Sequence, residues 1–299
     1  EGDLRKLKAI RRILVPVDFS VHSEKAAHFA LGLARELKGT IYLLHAYYSP
    51  AISATALNET FTYPEGMNTY LKELAANARK QINLLAEVLR KRIHDERMEG
   101  VEVHASLRHG LAEDTIAREE ESLRPGVIVM GTRGEGGVLY RTLGSVAGRV
   151  VEASHVPVIA IPANSTIDDP AQISGVVYAT DFDEQDHRSI ENLMTILSPF
   201  NLRLYCLHVE TGEDPSVDEA RMQQMRKHFR DHFKAQQVHC EVIHGKDIST
   251  ALERYVLNHE VGLIATTARK RNFLQSLFYP STTKQILFNL NTPVLVFHS

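Results

Sequence analysis

The sequence predicts an α/β protein of two tandem domains, each with a parallel β-sheet covered by helices. Two observations support this fold class. Short apolar segments typical of buried strands alternate with longer segments of helical periodicity, and such alternation builds parallel sheets through right-handed crossovers. The order of these segments also repeats once along the 299 residues, a length that suits two domains of ordinary size.

The first half contains five apolar segments that predict strands. They are residues 13–17, 41–46, 101–106, 127–130 and 156–161. Four segments with apolar residues at helical spacing predict the helices between them: residues 23–37, 70–94, 111–123 and 146–153. Residues 49–68 carry prolines and a glycine without either periodicity, so they are interpreted as an insertion or lid.

The second half repeats this pattern. Its first strand, 176–182 (VVYATDF), matches 13–19 (ILVPVDF). The remaining matches are 207–209 with 44–46, 244–245 with 109–110, 263–267 with 128–132, and 292–294 with 156–158. We therefore predict one domain at 9–163, a polar linker at 164–174 and a second domain at 175–299.

Bulk composition argues against several classes of partner. The formal net charge of -3 gives no electrostatic reason to expect nucleic acid or an anionic membrane surface. No apolar run approaches the length of a membrane span. The two cysteines, Cys206 and Cys240, are too few for a disulfide framework, and Cys206 lies in an apolar strand pattern. These features favour reduced thiols and a cytoplasmic location.

A glycine-rich stretch, MGTRGEGGVLYRTLGS at residues 130–145, is the strongest functional signal. It follows a predicted buried strand and precedes a predicted helix. Its characteristic residues are Gly131, Gly134, Gly144 and Ser145. Glycines let backbone N–H groups approach an anion. The start of a helix supplies unpaired N–H groups and the positive end of the helix dipole. Ser145 is expected to cap the helix or to donate its hydroxyl to phosphate. A glycine-rich surface loop that binds nothing is the alternative.

The stretch is neither a P-loop, since no lysine precedes the serine, nor the GxGxxG dinucleotide fingerprint. Two arginines lie within it. Arg133 is expected to bind phosphate, because a guanidinium can donate two parallel hydrogen bonds to phosphate oxygens. Arg141 is interpreted as a solvated loop charge.

The first half resembles a universal stress protein domain. The features that carry the resemblance are VPVDFS at 15–20, LLHAY at 43–47, and the glycine spacing of 131–145 followed by VPV at 156–158. The resemblance covers the whole chain as a tandem UspA-type protein. It implies two Rossmann-like domains of the adenine nucleotide alpha hydrolase-like type, each a five-stranded parallel sheet of order 3-2-1-4-5 with helices on both faces.

The resemblance also implies that ATP, with or without Mg²⁺, binds in the first domain. The contacts that it implies are Pro16, Asp18, Ala46, Met130, Gly131, Gly134, Gly144, Ser145 and Val146, and the charge argument adds Arg133. Asp18 would lie near the adenosine, and a role as the cap of the following helix is compatible with that. Residues 156–161 and 292–297 could pair within the chain as a pseudo-dimer, or the chain could form a homo-oligomer.

The second copy departs from the signature. In its stretch TTARKRNFLQSLFYPST, at 266–282, Thr266 and Arg269 stand where glycines are expected and Pro280 replaces the last one. A Cβ blocks close backbone approach, and proline lacks a donor N–H. We therefore predict a single nucleotide site, in the first domain, and a structural capping role for Asp181.

The favoured function is an ATP-binding regulatory protein of the stress response with little or no turnover and an unidentified protein partner. The alternatives are a slow ATPase or a nucleotidyl or phosphoryl transferase in the same pocket, and a scaffold that binds no ligand. No catalytic residue and no resident metal are assigned. His228 and His232 share a face of a predicted helix, but an exposed basic helix explains them more simply than zinc.

Overall fold

The structure is a computed structural model that describes residues 10–48, 67–132, 144–162, 164–211, 215–232, 238–268 and 291–298. Three predicted features fall mainly outside these ranges. They are the lid, the glycine loop with Arg133, Gly134 and Arg141, and the second-copy loop with Arg269 and Pro280.

The first half alternates strands and helices as predicted, with ends shifted by a few residues. Its elements are β1 (Arg12–Pro16), α1 (Val21–Leu37), β2 (Thr40–Tyr47), α2 (Met67–Asp95), β3 (Glu102–His109), α3 (Ala112–Leu123), β4 (Val127–Gly131), α4 (Ser145–Ala153) and β5 (Val158–Ile161).

The second half repeats this order after a short 3₁₀ helix, Pro170–Gln172. Its elements are β6 (Gly175–Ala179), α5 (Glu184–Leu197), β7 (Arg203–Glu210), α6 (Pro215–His232), β8 (Val238–His244), α7 (Ile248–Asn258), β9 (Val261–Ala268) and β10 (Val294–His298). Of the helices in the described ranges, none is long and apolar enough to span a bilayer.

Within the described residues, the strands form one continuous sheet of order β3-β2-β1-β4-β5-β10-β9-β6-β7-β8. Each half therefore has the predicted order 3-2-1-4-5. The halves meet where β5 and β10 pair antiparallel, with Leu295 opposite Ile159. The predicted pairing within the chain is thus present, and it covers an edge of each half that would otherwise be exposed.

Helices cover both faces of this sheet. On one face α1, α2, α5 and α6 pack against a core that includes Phe29 and Phe229. On the other face α3, α4 and α7 pack against a core that includes Val151 and Leu252. The strands that end at the predicted site are therefore held from both sides.

The predicted linker docks onto α1. Asp169 and Gln172 form a capping box around the 3₁₀ helix. The Arg35 guanidinium donates two hydrogen bonds to the Asp169 carboxylate, at 2.9 and 3.0 Å. A Cβ on Gly32 would lie 2.6 Å from Asp169 Oδ1, so the glycine lets the segment approach the helix. We call residues 164–174 the connecting strap.

Strand pairing corrects the register of the internal repeat by one residue at β9. Ile13 pairs with Val127 in the first half, and its counterpart Val176 pairs with Leu263 in the second. Leu263 is therefore the equivalent of Val127, which places Thr267, not Thr266, at the position of Gly131. In a strand this correction matters because a shift of one residue moves a side chain to the opposite face.

Candidate functional site

The candidate site lies at the carboxyl ends of three neighbouring strands, β2, β1 and β4. Pro16 ends β1, Ala46 is the penultimate residue of β2, and Met130 and Gly131 end β4. The chain order reverses between β1 and β4, which is the switch point where open α/β sheets bind ligands. Strand order alone thus brings these four predicted contacts to one edge.

The start of α4 is tied to the same edge. The Gly144 N–H donates to the Thr132 carbonyl at 2.7 Å, and the Thr132 N–H donates to the Ile161 carbonyl at 3.0 Å. These bonds fix both ends of the glycine loop. Three further predicted contacts therefore begin beside the end of β4: Gly144, Ser145 and Val146.

No side chain of α4 or of its N-cap residue caps the first turn of this helix. Gly144 is the N-cap and provides no side-chain hydrogen bond, and the first turn contains no acidic residue. Ser145 is the first helical residue and is exposed, so of the two roles considered for it the capping role is not what the structure shows. A helix start without a capping side chain keeps N–H donors and positive dipole available to an anion.

Other helix starts in the described residues are occupied. Ser20 caps α1, Asp183 caps α5 and Asp247 caps α7, each through a side-chain oxygen that accepts a backbone N–H. Helix α3 has no side-chain cap, but Glu113 and Asp114 lie in its first turn and would repel an anion. The open start of α4 thus differs from these four.

Asp18 lies just beyond β1 and supports the start of α1 indirectly. Its Oδ1 accepts the Ser20 backbone N–H at 3.1 Å and the Ser20 hydroxyl at 2.6 Å. Ser20 in turn accepts the Ser23 N–H, so Ser20 is the cap and Asp18 orients it. The alternative in which Asp18 itself caps the helix is not what the structure shows.

An aromatic corner beside Asp18 occurs in both halves. Phe19 packs on His45 with ring centroids 4.3 Å apart, and Phe182 packs on His208 at 4.4 Å. Both histidines bond through Nδ1 to the carbonyl that follows the first strand of their half, at 2.7 and 2.8 Å. Phe19 and Phe182 both adopt positive φ, 66° and 63°. Because the corner recurs in both copies, it belongs to the fold and does not distinguish a ligand site.

Gly131 is required by packing within the first domain. A Cβ at this position would lie 2.9 Å from the His22 carbonyl oxygen and 3.0 Å from its carbon. The start of α1 therefore packs directly on the end of β4. The sequence interpretation, in which this glycine admits an anion, missed that role because the contact joins residues far apart in the chain.

In the second domain the same corner is filled by polar side chains. Thr267, at the position of Gly131, is buried and contacts the Tyr178 hydroxyl at 2.7 Å and the Ser189 hydroxyl at 2.7 Å. The Tyr178 hydroxyl also donates to Asp186 at 2.9 Å. Burial raises the pKa of Tyr178, and the Asp186 carboxylate raises it further. This buried cluster replaces the close helix–strand contact of the first domain.

Asp186 is the centre of that cluster, and it is 1% exposed. It accepts the Thr180 hydroxyl at 2.6 Å and the backbone N–H groups of Asp181 and Asp183 at 3.2 and 3.3 Å. The cap of α5 is Asp183, which forms a capping box with Asp186. The prediction that Asp181 caps this helix is therefore wrong.

A groove of about 900 Å³ lies between α3 and α4. It is lined by charged side chains, including an Arg149–Glu113 ion pair. The buried carboxylate of Glu120 accepts the His155 backbone N–H there at 2.7 Å. The start of α3 and the middle of α4 are thus joined by an ion pair across the groove.

Across the described ranges, no group of three or more His, Cys, Asp or Glu side chains could hold a metal ion. His228 packs on His187 of α5, with ring centroids 4.2 Å apart. The side chain of His232, the second histidine considered from the sequence, lies outside the described residues.

Comparisons with known proteins agree with the fold and its duplication. A family model described as the universal stress protein family matches residues 9–162 and 174–298. A universal stress protein of Methanocaldococcus jannaschii is 31% identical over 152 residues, which are 50% of this chain and 81% of that protein. One from Bacillus subtilis is 25% identical over 150 residues, 50% of this chain and 97% of that protein.

A crystal structure extends the likeness to both halves together. The structure of a universal stress protein from Archaeoglobus fulgidus aligns with a TM-score of 0.70 at 20% identity and covers 96% of each chain.

Proposed function

This chain belongs to the universal stress protein family, and we propose that it is a stress-response regulator that binds one ATP at the carboxyl edge of its first domain, with little or no turnover. The observation that carries the proposal is the start of α4. It has no side-chain cap, no acidic residue in its first turn, and a backbone tie to the end of β4.

The edge can supply each kind of contact that a nucleotide needs. In the proposed arrangement Ala46 and Met130 line the adenine, and Asp18 accepts ribose hydroxyls. The N–H groups at the start of α4 then bind phosphate oxygens. The full set that we propose is Pro16, Asp18, Ala46, Met130, Gly131, Arg133, Gly134, Gly144, Ser145 and Val146.

We propose that the second domain binds no nucleotide. In place of the half-buried Ala46 it has Val209, which is 8% exposed, and Thr267 fills the position of Gly131. A larger side chain at the position of the residue proposed to line the adenine, and the loss of the glycine at the end of the fourth strand, support this proposal. The second domain would instead stabilise the first through the shared sheet.

Low turnover is proposed on the chemistry of the site. Phosphoryl transfer requires a positioned nucleophile and groups that neutralise developing charge, usually a lysine and metal-binding carboxylates. The predicted contacts contain one carboxylate, Asp18, and it is engaged with Ser20. Two free cysteines, Cys206 and Cys240, support the further proposal of a reducing, cytoplasmic location.

A single substitution separates binding from folding. Ser145→Asp places a negative charge in the first turn of α4, which stabilises a helix start but repels a phosphate. Isothermal titration with ATP should show affinity lowered by at least about tenfold, since about 1.4 kcal/mol of repulsion suffices for that. Ser145→Asn, which has the size of the aspartate variant but no charge, should lose clearly less affinity than Ser145→Asp.

Two results would contradict the proposal. One is unchanged ATP affinity in Ser145→Asp while its thermal stability equals or exceeds that of the wild type. The other is rapid release of ADP or AMP when pure protein is incubated with ATP and Mg²⁺, which would favour the enzymatic alternative.

A further inference from the structure

The two cysteines of the chain face each other across neighbouring strands. In the parallel pair β7–β8, Cys206 lies directly opposite Cys240. Side chains at paired positions of neighbouring strands point to the same face of a sheet. The sequence separates these residues by a helix, so it gives no sign of the pairing.

Their surroundings differ in a way that suits stepwise oxidation. Cys206 is fully buried, whereas Cys240 is partly exposed. The Arg226 guanidinium, on α6, donates to the Cys240 carbonyl from Nε at 2.9 Å and from Nη2 at 2.6 Å. A positive charge beside a partly exposed thiol is the setting in which cysteines react with oxidants.

The two thiols also interact with each other. A hydrogen bond from the Cys206 thiol lowers the pKa of Cys240, and the Arg226 charge lowers it further although burial opposes both. The same hydrogen bond, together with burial, raises the pKa of Cys206. At neutral pH, Cys240 is thus the thiol that more readily becomes the thiolate.

We propose that Cys206 and Cys240 form a reversible intrachain disulfide when the protein meets a peroxide, so that the second domain carries an oxidation site.

The chemistry balances without any bound cofactor. The Cys240 thiolate attacks one oxygen of H₂O₂ and the O–O bond breaks. Cys240 becomes a sulfenic acid, and the departing hydroxide takes up a proton and leaves as water. The Cys206 sulfur then attacks the Cys240 sulfur, an S–S bond forms, and the hydroxyl leaves with the Cys206 proton as a second water. One H₂O₂ is reduced and two thiols are oxidised. A dithiol reductant returns both thiols by exchange.

The strand geometry permits this bond with a small adjustment. Neighbouring strands lie roughly 4.7–4.9 Å apart, and disulfide-linked Cα atoms are usually separated by roughly 4.4–6.8 Å. Among the described strands β8 has no neighbour on its other side, so it can shift relative to β7 to adjust the separation of the two Cα atoms. At the corresponding positions the first domain has Leu43 opposite Ala105, so the fold itself does not require a cysteine pair.

The test uses the full chain and hydrogen peroxide. After treatment with peroxide and blocking of remaining thiols, wild-type protein should lose both titratable thiols and the mass of two hydrogens. Proteolysis should give one peptide pair linked through Cys206 and Cys240, and dithiothreitol should restore both thiols.

Two single variants separate the steps. Cys206→Ala should stop at the sulfenic acid of Cys240, which dimedone traps, whereas Cys240→Ala should leave the buried Cys206 unreacted. Wild-type protein that keeps both thiols under peroxide would overturn the proposal. So would a linkage between two chains, or oxidation of Cys240 to sulfinic acid without a disulfide. These outcomes do not depend on whether either variant folds.

Discussion

The two domains build the same corner in opposite ways. In the first domain Gly131 ends β4, and the backbone of His22 packs directly against it. In the second domain Thr267 occupies that position and joins a buried cluster with Tyr178 and Asp186. The strand order is the same in both halves. The fold therefore accepts either a close backbone contact or a buried polar cluster at this corner. A domain without the glycine signature keeps the same strand order.

Features that both halves share are the ones that the fold requires. The pair of Phe19 and His45 recurs as Phe182 and His208 with almost the same spacing. By contrast, the glycine at the end of β4 is specific to the first domain. Comparing equivalent positions thus shows which features the fold keeps in both copies and which occur in the first domain alone.

The largest expected effect comes from removing the centre of the second-domain cluster. Asp186→Ala leaves the buried Tyr178 and Thr180 hydroxyls without their acceptor, and we expect a loss of about 3–5 kcal/mol in the free energy of unfolding. Ser23, at the equivalent position of the first domain, donates to the Ser20 carbonyl at 3.0 Å and accepts the Asp18 N–H at 3.3 Å, neither of which involves a buried carboxylate. Ser23→Ala should cost about 1 kcal/mol.

Urea denaturation of both variants measures this difference. Equal losses in the two would show that the filled corner is no more dependent on its polar groups than the close-packed one, contrary to the comparison.

An exchange at the glycine position should have a somewhat smaller effect. Gly131→Thr forces a branched side chain against the His22 carbonyl, and overpacking of this kind costs about 1–3 kcal/mol. Guanidinium unfolding should show that loss, and Gly131→Ala should show a smaller one. If Gly131→Thr unfolded at the wild-type denaturant concentration, the close contact would not be a constraint on the first domain.

The smallest expected effect concerns the tie between the domains. Arg35→Gln removes the paired hydrogen bonds that hold Asp169 of the connecting strap to α1. We expect a loss of about 1 kcal/mol in the free energy of unfolding at neutral pH. Arg203→Gln, in an exposed second-domain pair whose atoms are 3.6 Å apart, serves as the control and should show no measurable loss.

The Arg35 effect should depend on pH. Burial alone would raise the pKa of Asp169, but the Arg35 guanidinium and the Ala171 N–H outweigh it and hold that pKa below its usual value. A lowered pKa stabilises the folded state above the unfolded-state pKa of about 3.9, and this contribution disappears as the pH falls through the folded value. Thermal melts should therefore show wild type and Arg35→Gln converging below about pH 4, and a constant difference would contradict the role of the carboxylate.

The sequence predicted the architecture well because its signals are local. Apolar runs, helical periodicity and their single repetition indicated the elements and the duplication, whereas the strand order and the pairing of β5 with β10 were expected from the family resemblance. The register of the repeat was wrong at β9 because every residue of that strand is buried, so no alternation of polar and apolar residues marks its faces.

The details of the site depend on contacts that the sequence does not display. Ser145 looks like a capping residue by type, but Gly144 is the N-cap. The docking of Asp169 on Arg35 and the facing of Cys206 and Cys240 join segments that are far apart in the chain. Such long-range pairs follow from the packing of the whole sheet and become visible only in the folded chain.

Native mass spectrometry of the intact chain with ATP tests the difference between the domains most directly. At an ATP concentration near the wild-type dissociation constant, the account predicts at most one nucleotide per chain in the wild type and a bound fraction several-fold smaller in Ser145→Asp. Two nucleotides per chain, or a bound fraction in Ser145→Asp equal to that of the wild type, would show that the nucleotide is not bound by the start of α4 in the first domain alone.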